Sequence, residues 1–138
     1  MRVLGLDIGT KNIGVAISDE SGTIASGREN ILRKSDAVAI SKICDLVRDF
    51  KVDVIVVGLP INMDGTKGPR AEYSEKFAER LRRIVEIEVV LWDERLSTKE
   101  AEDVLIDASV RRDKRKKVID RMAAQLILQG YLDSLRNE

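Results

Sequence analysis

The 138-residue chain contains no histidine and a single cysteine, Cys44. Without histidine there are no Ser-His-Asp or Cys-His nucleophile systems, no imidazole metal sites, and no side chain of the kind that most often acts as a base near neutral pH. One thiol forms no internal disulfide and no multi-thiolate zinc site, which fits a reducing compartment. Aromatic residues number only five, so stacking successive bases on aromatic platforms is not the expected way to hold a single strand. Long apolar runs are also missing. Nothing approaches the ~20 residues of a membrane span, and Asp7 breaks the short apolar run at the N-terminus, so neither a membrane segment nor a secretory leader is expected. A cytoplasmic location follows as an expectation. Chemistry is left to carboxylates, lysines, hydroxyls, backbone groups or a bound hard metal.

What is present is a globular composition, with 43% hydrophobic and 35% charged residues. The length suits one domain spanning residues 1–138, at ~100–200 residues per domain. Net charge is zero, yet residues 111–121 (RRDKRKKVIDR) carry seven basic residues against two acids. A segment at +5 therefore sits on a body at −5. Such a run is a solvated helix start in many proteins and a nucleic-acid patch in others.

The hydrophobic pattern orders the elements. Val3–Ile8 and Ile13–Ser18 read as strands joined by Gly-Thr-Lys-Asn turn chemistry, and Thr23–Leu32 as a more polar strand near an edge. Ser35 and Asp36 cap a helix to about Phe50, with Ile40, Ile43, Cys44 and Val47 on its buried face. The continuous β-branched run Val52–Gly58 suits a central strand covered on both sides. Leu59–Pro69 is a loop. A helix with a Tyr73, Phe77, Leu81 and Ile84 stripe follows, then a strand over Ile87–Trp92. Ser97-Thr98-Lys99-Glu100 is a capping box opening a helix to about Ile106. The last helix is expected over Lys117–Leu135, with Ile119, Ala123, Leu126, Ile127 and Gly130 along one side. The aromatics Phe50, Tyr73, Phe77 and Trp92 read as core. The order is βββαβαβαα, an α/β five-stranded mixed sheet with helices on both faces and the first strand at its centre. This is the ribonuclease H-like pattern.

Three acids stand out. Asp7 lies within an apolar run, where a carboxylate is costly to desolvate unless a metal or strong donors compensate. A turn-forming role at Gly9-Thr10 is an equal alternative. Asp93-Glu94-Arg95 follows the last strand and reads either as a ligand pair or as a surface ion cluster. Asp120 suits the helix dipole in the first turn, but Ala123 and Ala124 on the same side let that helix approach the sheet closely. Acids from the first strand, the last strand and the final helix can meet at one sheet edge. A histidine-free carboxylate set suits Mg²⁺ or Mn²⁺, and paired hard metals serve phosphodiester hydrolysis. Arg111, Arg112, Lys114, Arg115, Lys116 and Lys117 would supply phosphate-binding charge beside it. Lys11, Lys67 and Arg95 are further candidates, each with an ordinary structural alternative. Residues 108–116 are expected to be mobile without nucleic acid.

The ordered motifs are Leu6-Asp7-Ile8-Gly9-Thr10-Lys11-Asn12-Ile13-Gly14-Val15-Ala16; Val56-Val57-Gly58-Leu59-Pro60 with Asn62-Met63-Asp64-Gly65-Thr66; Trp92-Asp93-Glu94-Arg95-Leu96-Ser97-Thr98; and Lys117 through Asp120 with Ala123-Ala124, Ile127-Leu128-Gln129 and Tyr131-Leu132. Together they resemble the YqgF/RuvX family of ribonuclease H-like Holliday junction resolvases, also known as pre-16S rRNA nucleases. The resemblance implies a metal-dependent endonuclease for structured nucleic acid, acting in 5′-end processing of pre-16S rRNA or on four-way DNA junctions. It implies Asp7, Glu94 and Asp120 as catalytic and metal-binding positions, with Asp93 as a reserve ligand and Mg²⁺ or Mn²⁺ as cofactor. Resolution of a junction needs two active sites, so a homodimer is expected beside a monomer. The fourth strand departs from the wider superfamily by ending Gly58-Leu59-Pro60, without an acid. Two other readings compete. One is a non-catalytic ribosome-assembly or nucleic-acid-binding factor. The other is an actin-like nucleotide-binding protein, for which the chain has one Asp-x-Gly-Thr motif where two halves are needed.

Overall fold

A computed structural model describes residues 1–95 and 111–136, with residues 112–121 described by their backbone alone. The elements are β1 (Val3–Ile8), β2 (Asn12–Ser18), β3 (Ala25–Leu32), α1 (Asp36–Asp49), β4 (Val54–Leu59), α2 (Pro69–Arg82), β5 (Glu88–Asp93) and α3 (Arg112–Arg136). They form one five-stranded mixed sheet in the order β3-β2-β1-β4-β5. The short links make β1–β2 and β2–β3 antiparallel; the helical crossovers make β1–β4 and β4–β5 parallel.

Strand alternation divides the core into two layers. Leu4, Leu6 and Ile8 of β1 join Ile55 and Val57 of β4 under α1 and α2, where Ile40, Ile43, Phe77 and Leu81 pack. Val3 and Val56 face the other way, onto Ala124, Ile127, Leu128 and Leu132 of α3. Every residue of β4 is buried, as its unbroken apolar run requires. Gln125 and Gln129 fasten α3 over the start of β3. The Gln125 Nε2 donates to the Ala25 carbonyl at 3.2 Å, and the Ala25 N–H donates to Gln129 Oε1 at 2.9 Å.

Three expectations shift. The last helix starts at Arg112, not Lys117, because lysine and arginine are good helix formers and the basic run continues the helix. Residues 112–116, part of the segment expected to be mobile without nucleic acid, belong to this helix, and residues 108–110 lie outside the described residues. The buried side of α3 carries Ala124, Ile127, Leu128 and Leu132, while Ala123, Leu126 and Gly130 are only half-buried. Gly5 and Gly58 on the sheet leave room for Leu128 and Ile127, and this fixes the rotation of the helix. Ile84 lies beyond the end of α2 and is exposed. The helix expected over Ser97–Ile106 lies outside the described residues, as do the side chains of Ile119 and Asp120.

The α1 cap forms as its sequence requires, with the Val38 N–H donating to Ser35 Oγ at 3.2 Å. Ser35→Ala is expected to cost about 1 kcal/mol, the usual value of such a cap, as a lowered urea midpoint with unchanged m-value.

Candidate active site

β1 and β4 run parallel with Leu6 beside Val57. The next residues are Asp7 and Gly58, at the carboxyl end of both strands, where open α/β sheets bind ligands. Asp7 shares a face with Gly5 and Val3, so its half-buried carboxylate lies on the α3 side. Gly58 leaves a bare patch of backbone there. A Cβ at that position would come within 3.0 Å of Glu94 Cδ and 2.4 Å of Ile127 Cδ1. The Glu94 side chain thus lies over Gly58, where the chain leaves β5 and turns helical at Glu94 and Arg95. The missing acid on the fourth strand and the incoming Glu94 are two sides of one packing arrangement.

Burial and the neighbouring charge of Asp7 push the Glu94 carboxyl up to about 7; Asp93 adds to this and Arg70 opposes it. Glu94 Oε2 is buried and has no hydrogen-bond partner among the described residues. A buried, unpaired carboxylate oxygen beside a second carboxylate is what a hard cation would satisfy. Among the described residues no group of three potential ligands is close enough to hold a metal. Position 120 lies one helical turn before Ala124 on α3. Ala124 in turn packs against the space beside Gly14 that Asp7 borders from the other side.

The remaining candidates are more dispersed. Asp93 is gripped by Arg95, whose Nε donates to Oδ2 at 3.0 Å and whose Nη2 donates to the same oxygen at 2.7 Å. This pairing holds the Asp93 carboxyl below the usual carboxylate range. Asp93 and Arg95 therefore occupy each other. Lys67 pairs with Glu75 at 3.0 Å, and Lys11 and Arg111 are exposed. The side chains of Arg112, Lys114, Arg115, Lys116 and Lys117 lie outside the described residues. The loop after β4 is braced: the Asn62 N–H donates to the Thr66 carbonyl at 2.9 Å, and Thr66 Oγ1 donates to Asp64 Oδ1 at 2.6 Å. Arg70, on the first turn of α2, was not singled out from the sequence. It acts on Glu94 across a loop whose folding only the structure reveals.

The two core layers and the sheet order define a ribonuclease H-like fold, and its family marks the chain as a nuclease, a hydrolase of phosphodiester bonds. The chain belongs to the RuvX family: the family model described as RuvX, Holliday junction resolvase, matches residues 1–134. A Bacillus cytotoxicus protein named "Putative pre-16S rRNA nuclease" is 56% identical over 136 residues, covering 97% of this chain and 99% of that one. A Bacillus mycoides protein of the same name is 57% identical over the same length and coverage. Among solved structures, RuvC of T. thermophilus in complex with a Holliday junction substrate aligns with a TM-score of 0.64 at 12% identity, over 99% of this chain and 96% of that one. The fowlpox virus Holliday junction resolvase aligns at 0.54 and 18% identity, over 98% and 99%. At these identities the structural likeness speaks for the fold alone. Among the described residues no helix is long and apolar enough to cross a membrane.

Proposed function

We propose that this chain is a divalent-metal-dependent endonuclease that hydrolyses phosphodiester bonds in structured nucleic acid, with Asp7, Glu94 and Asp120 as its acidic residues. The observation that carries the reading is the buried, unpaired Glu94 Oε2 beside Asp7. Mg²⁺ or Mn²⁺ would supply charge for the phosphate oxygens and a nucleophilic water at neutral pH, which fits a histidine-free site. Asp7 and Glu94 would hold that ion. Gly58 keeps the floor low enough for Glu94 to reach it. Asp93 fixes Arg95 beside the site, and the basic start of α3 offers phosphate-binding charge next to position 120. The relatives' names make the 5′ end of a 16S rRNA precursor the first substrate to test, and the family description makes a four-way DNA junction the second.

The test incubates the protein with Mg²⁺ or Mn²⁺ and each substrate, beside a chelated control and Asp7→Asn. The expected result is metal-dependent cutting of one substrate that falls by at least ~10²–10³-fold in the variant, the scale for losing one group that stabilises transition-state charge. Equal cutting by both proteins would place the activity elsewhere. Binding without cutting would favour the non-catalytic assembly factor.

A further inference from the structure

The β2–β3 ladder carries a defect. Ile13 pairs with Ile31 and Val15 with Arg28, so Gly14 faces two residues, Glu29 and Asn30, where a regular ladder would offer one. This is a β-bulge. Gly14 is also the partner of Asp7, so the bulge lies in the same transverse row as Asp7, two strands away, at ~4.8 Å per strand. Bulges interrupt pairing and re-aim side chains, often beside functional sites. Between bulge and Asp7 lies a cavity of about 170 Å³, bordered by Asp7, Asn12, Gly14, Asn30 and Gln125. At ~30 Å³ per water it has room for five or six waters, the bulk of a flat heterocycle.

Beside the Asp7 carboxylate and the Arg28 guanidinium, its polar side chains are amides, of which Gln125 already donates Nε2 to the Ala25 carbonyl. The side chains of Asn12 and Asn30 make no hydrogen bonds among the described residues, and both residues are exposed. Each amide offers donor and acceptor together, the pattern that reads the edge of a base. Arg28 also borders the cavity, but its guanidinium stacks on Phe50 at 4.7 Å. The cavity is therefore poorly built for a phosphate and well built for a base.

We infer that this slot holds the nucleoside next to the phosphate that is cut, and that Asn12, Asn30 and Gln125 set which base it accepts. The inference rests on the nuclease reading for its place beside the cut, and its test does not require cutting. ¹⁵N-labelled full-length protein in metal-free buffer is titrated with the 5′-monophosphates of the four bases, as ribonucleotides and as deoxyribonucleotides. Side-chain amide signals of Asn12, Asn30 and Gln125 are expected to shift to different extents with different bases. Asn30→Ala is expected to flatten that ranking, and the sugar preference distinguishes RNA from DNA as the source. Shifts confined to other regions, or no shifts at all, would overturn the inference. On any substrate that is cut, wild type is expected to favour one base at a flanking position by ~10-fold, the scale of one good amide–base pair. Asn12→Ala or Asn30→Ala should reduce that preference while added Mg²⁺ still raises the melting temperature, as a ligand of the folded state does. Cutting with no base preference would overturn the slot and leave the nuclease standing. Base-ranked shifts without cutting would support the slot and remove the nuclease reading.

Discussion

Glu94→Gln is expected to abolish cutting and, without metal, to make the protein more stable at pH 8. The two effects share one cause. The folded protein holds the Glu94 carboxyl at about 7 against an ordinary 4.5, chiefly through burial and then through the charge of Asp7. An acid raised in this way keeps in the folded state a proton that the unfolded chain releases. Stability is therefore undiminished below about 4.5, falls as pH rises from 4.5 towards 7, and carries its full deficit above 7. At ~1.4 kcal/mol per pH unit, discounted because the group is not fully buried, the deficit at pH 8 is on the order of 2 kcal/mol. Glutamine keeps the shape and removes the titration. Urea unfolding in EDTA should thus show Glu94→Gln matching wild type at pH 4.5 and exceeding it by on the order of 2 kcal/mol at pH 8. Mg²⁺ should then raise wild-type stability, as any ligand of the folded state does, and leave the variant unmoved. Parallel pH profiles for the two proteins would show that Glu94 is not held in this environment.

The parts of this site that were legible in the sequence are those where one residue violates its surroundings. Asp7 stands out because an acid sits in an apolar strand, and the β-branched run of β4 announces its central place. Short links and long crossovers then give the strand order. Less legible were features that arise only when elements meet. The register of α3 is set by Gly5 and Gly58 on strands far away in sequence, so periodicity within the helix pointed to Leu126 and Gly130 while packing selected Leu128 and Leu132. The bulge at Glu29-Asn30 is invisible in a polar edge strand, where alternation carries little signal. Arg70 reaches the electrostatics of Glu94 only because the loop after β4 folds back. The resemblance already ranks Glu94 above Asp93, but their surroundings appear only in the structure: Arg95 takes up Asp93, and Gly58 makes room for Glu94.

A large stability effect is expected at Gly5, in the middle of β1. Glycine inside a strand ordinarily weakens it, and replacing glycine by alanine at a compatible position gains ~0.4–1 kcal/mol through the unfolded chain. Here the site is incompatible. An added Cβ would stand 2.8 Å from Leu128 Cβ and 3.2 Å from the Ala124 carbonyl oxygen. Neither atom is the free end of a flexible side chain, so the strain can be relieved only by moving α3 off the sheet. Overpacking of this kind costs ~1–3 kcal/mol, occasionally more. Gly5→Ala should fall at the upper end, about 2–3 kcal/mol net, or roughly 6–12 °C in Tm for a chain of this size. Gly27→Ala provides the contrast. Gly27 also lies under α3, on the edge strand β3, but the nearest atom to its added Cβ is Gln125 Oε1 at 3.6 Å, an ordinary contact. That variant should stay within about 0.5 kcal/mol of wild type. If thermal melts gave the two variants equal losses, the close seating of α3 against β1 would be wrong. Because Gly14 and Gly58 seat the same helix beside Asp7 and Glu94, displacing α3 at Gly5 should also weaken cutting at temperatures where Gly5→Ala is still fully folded. The glycines would then be acting on the chemistry through the distance between helix and sheet.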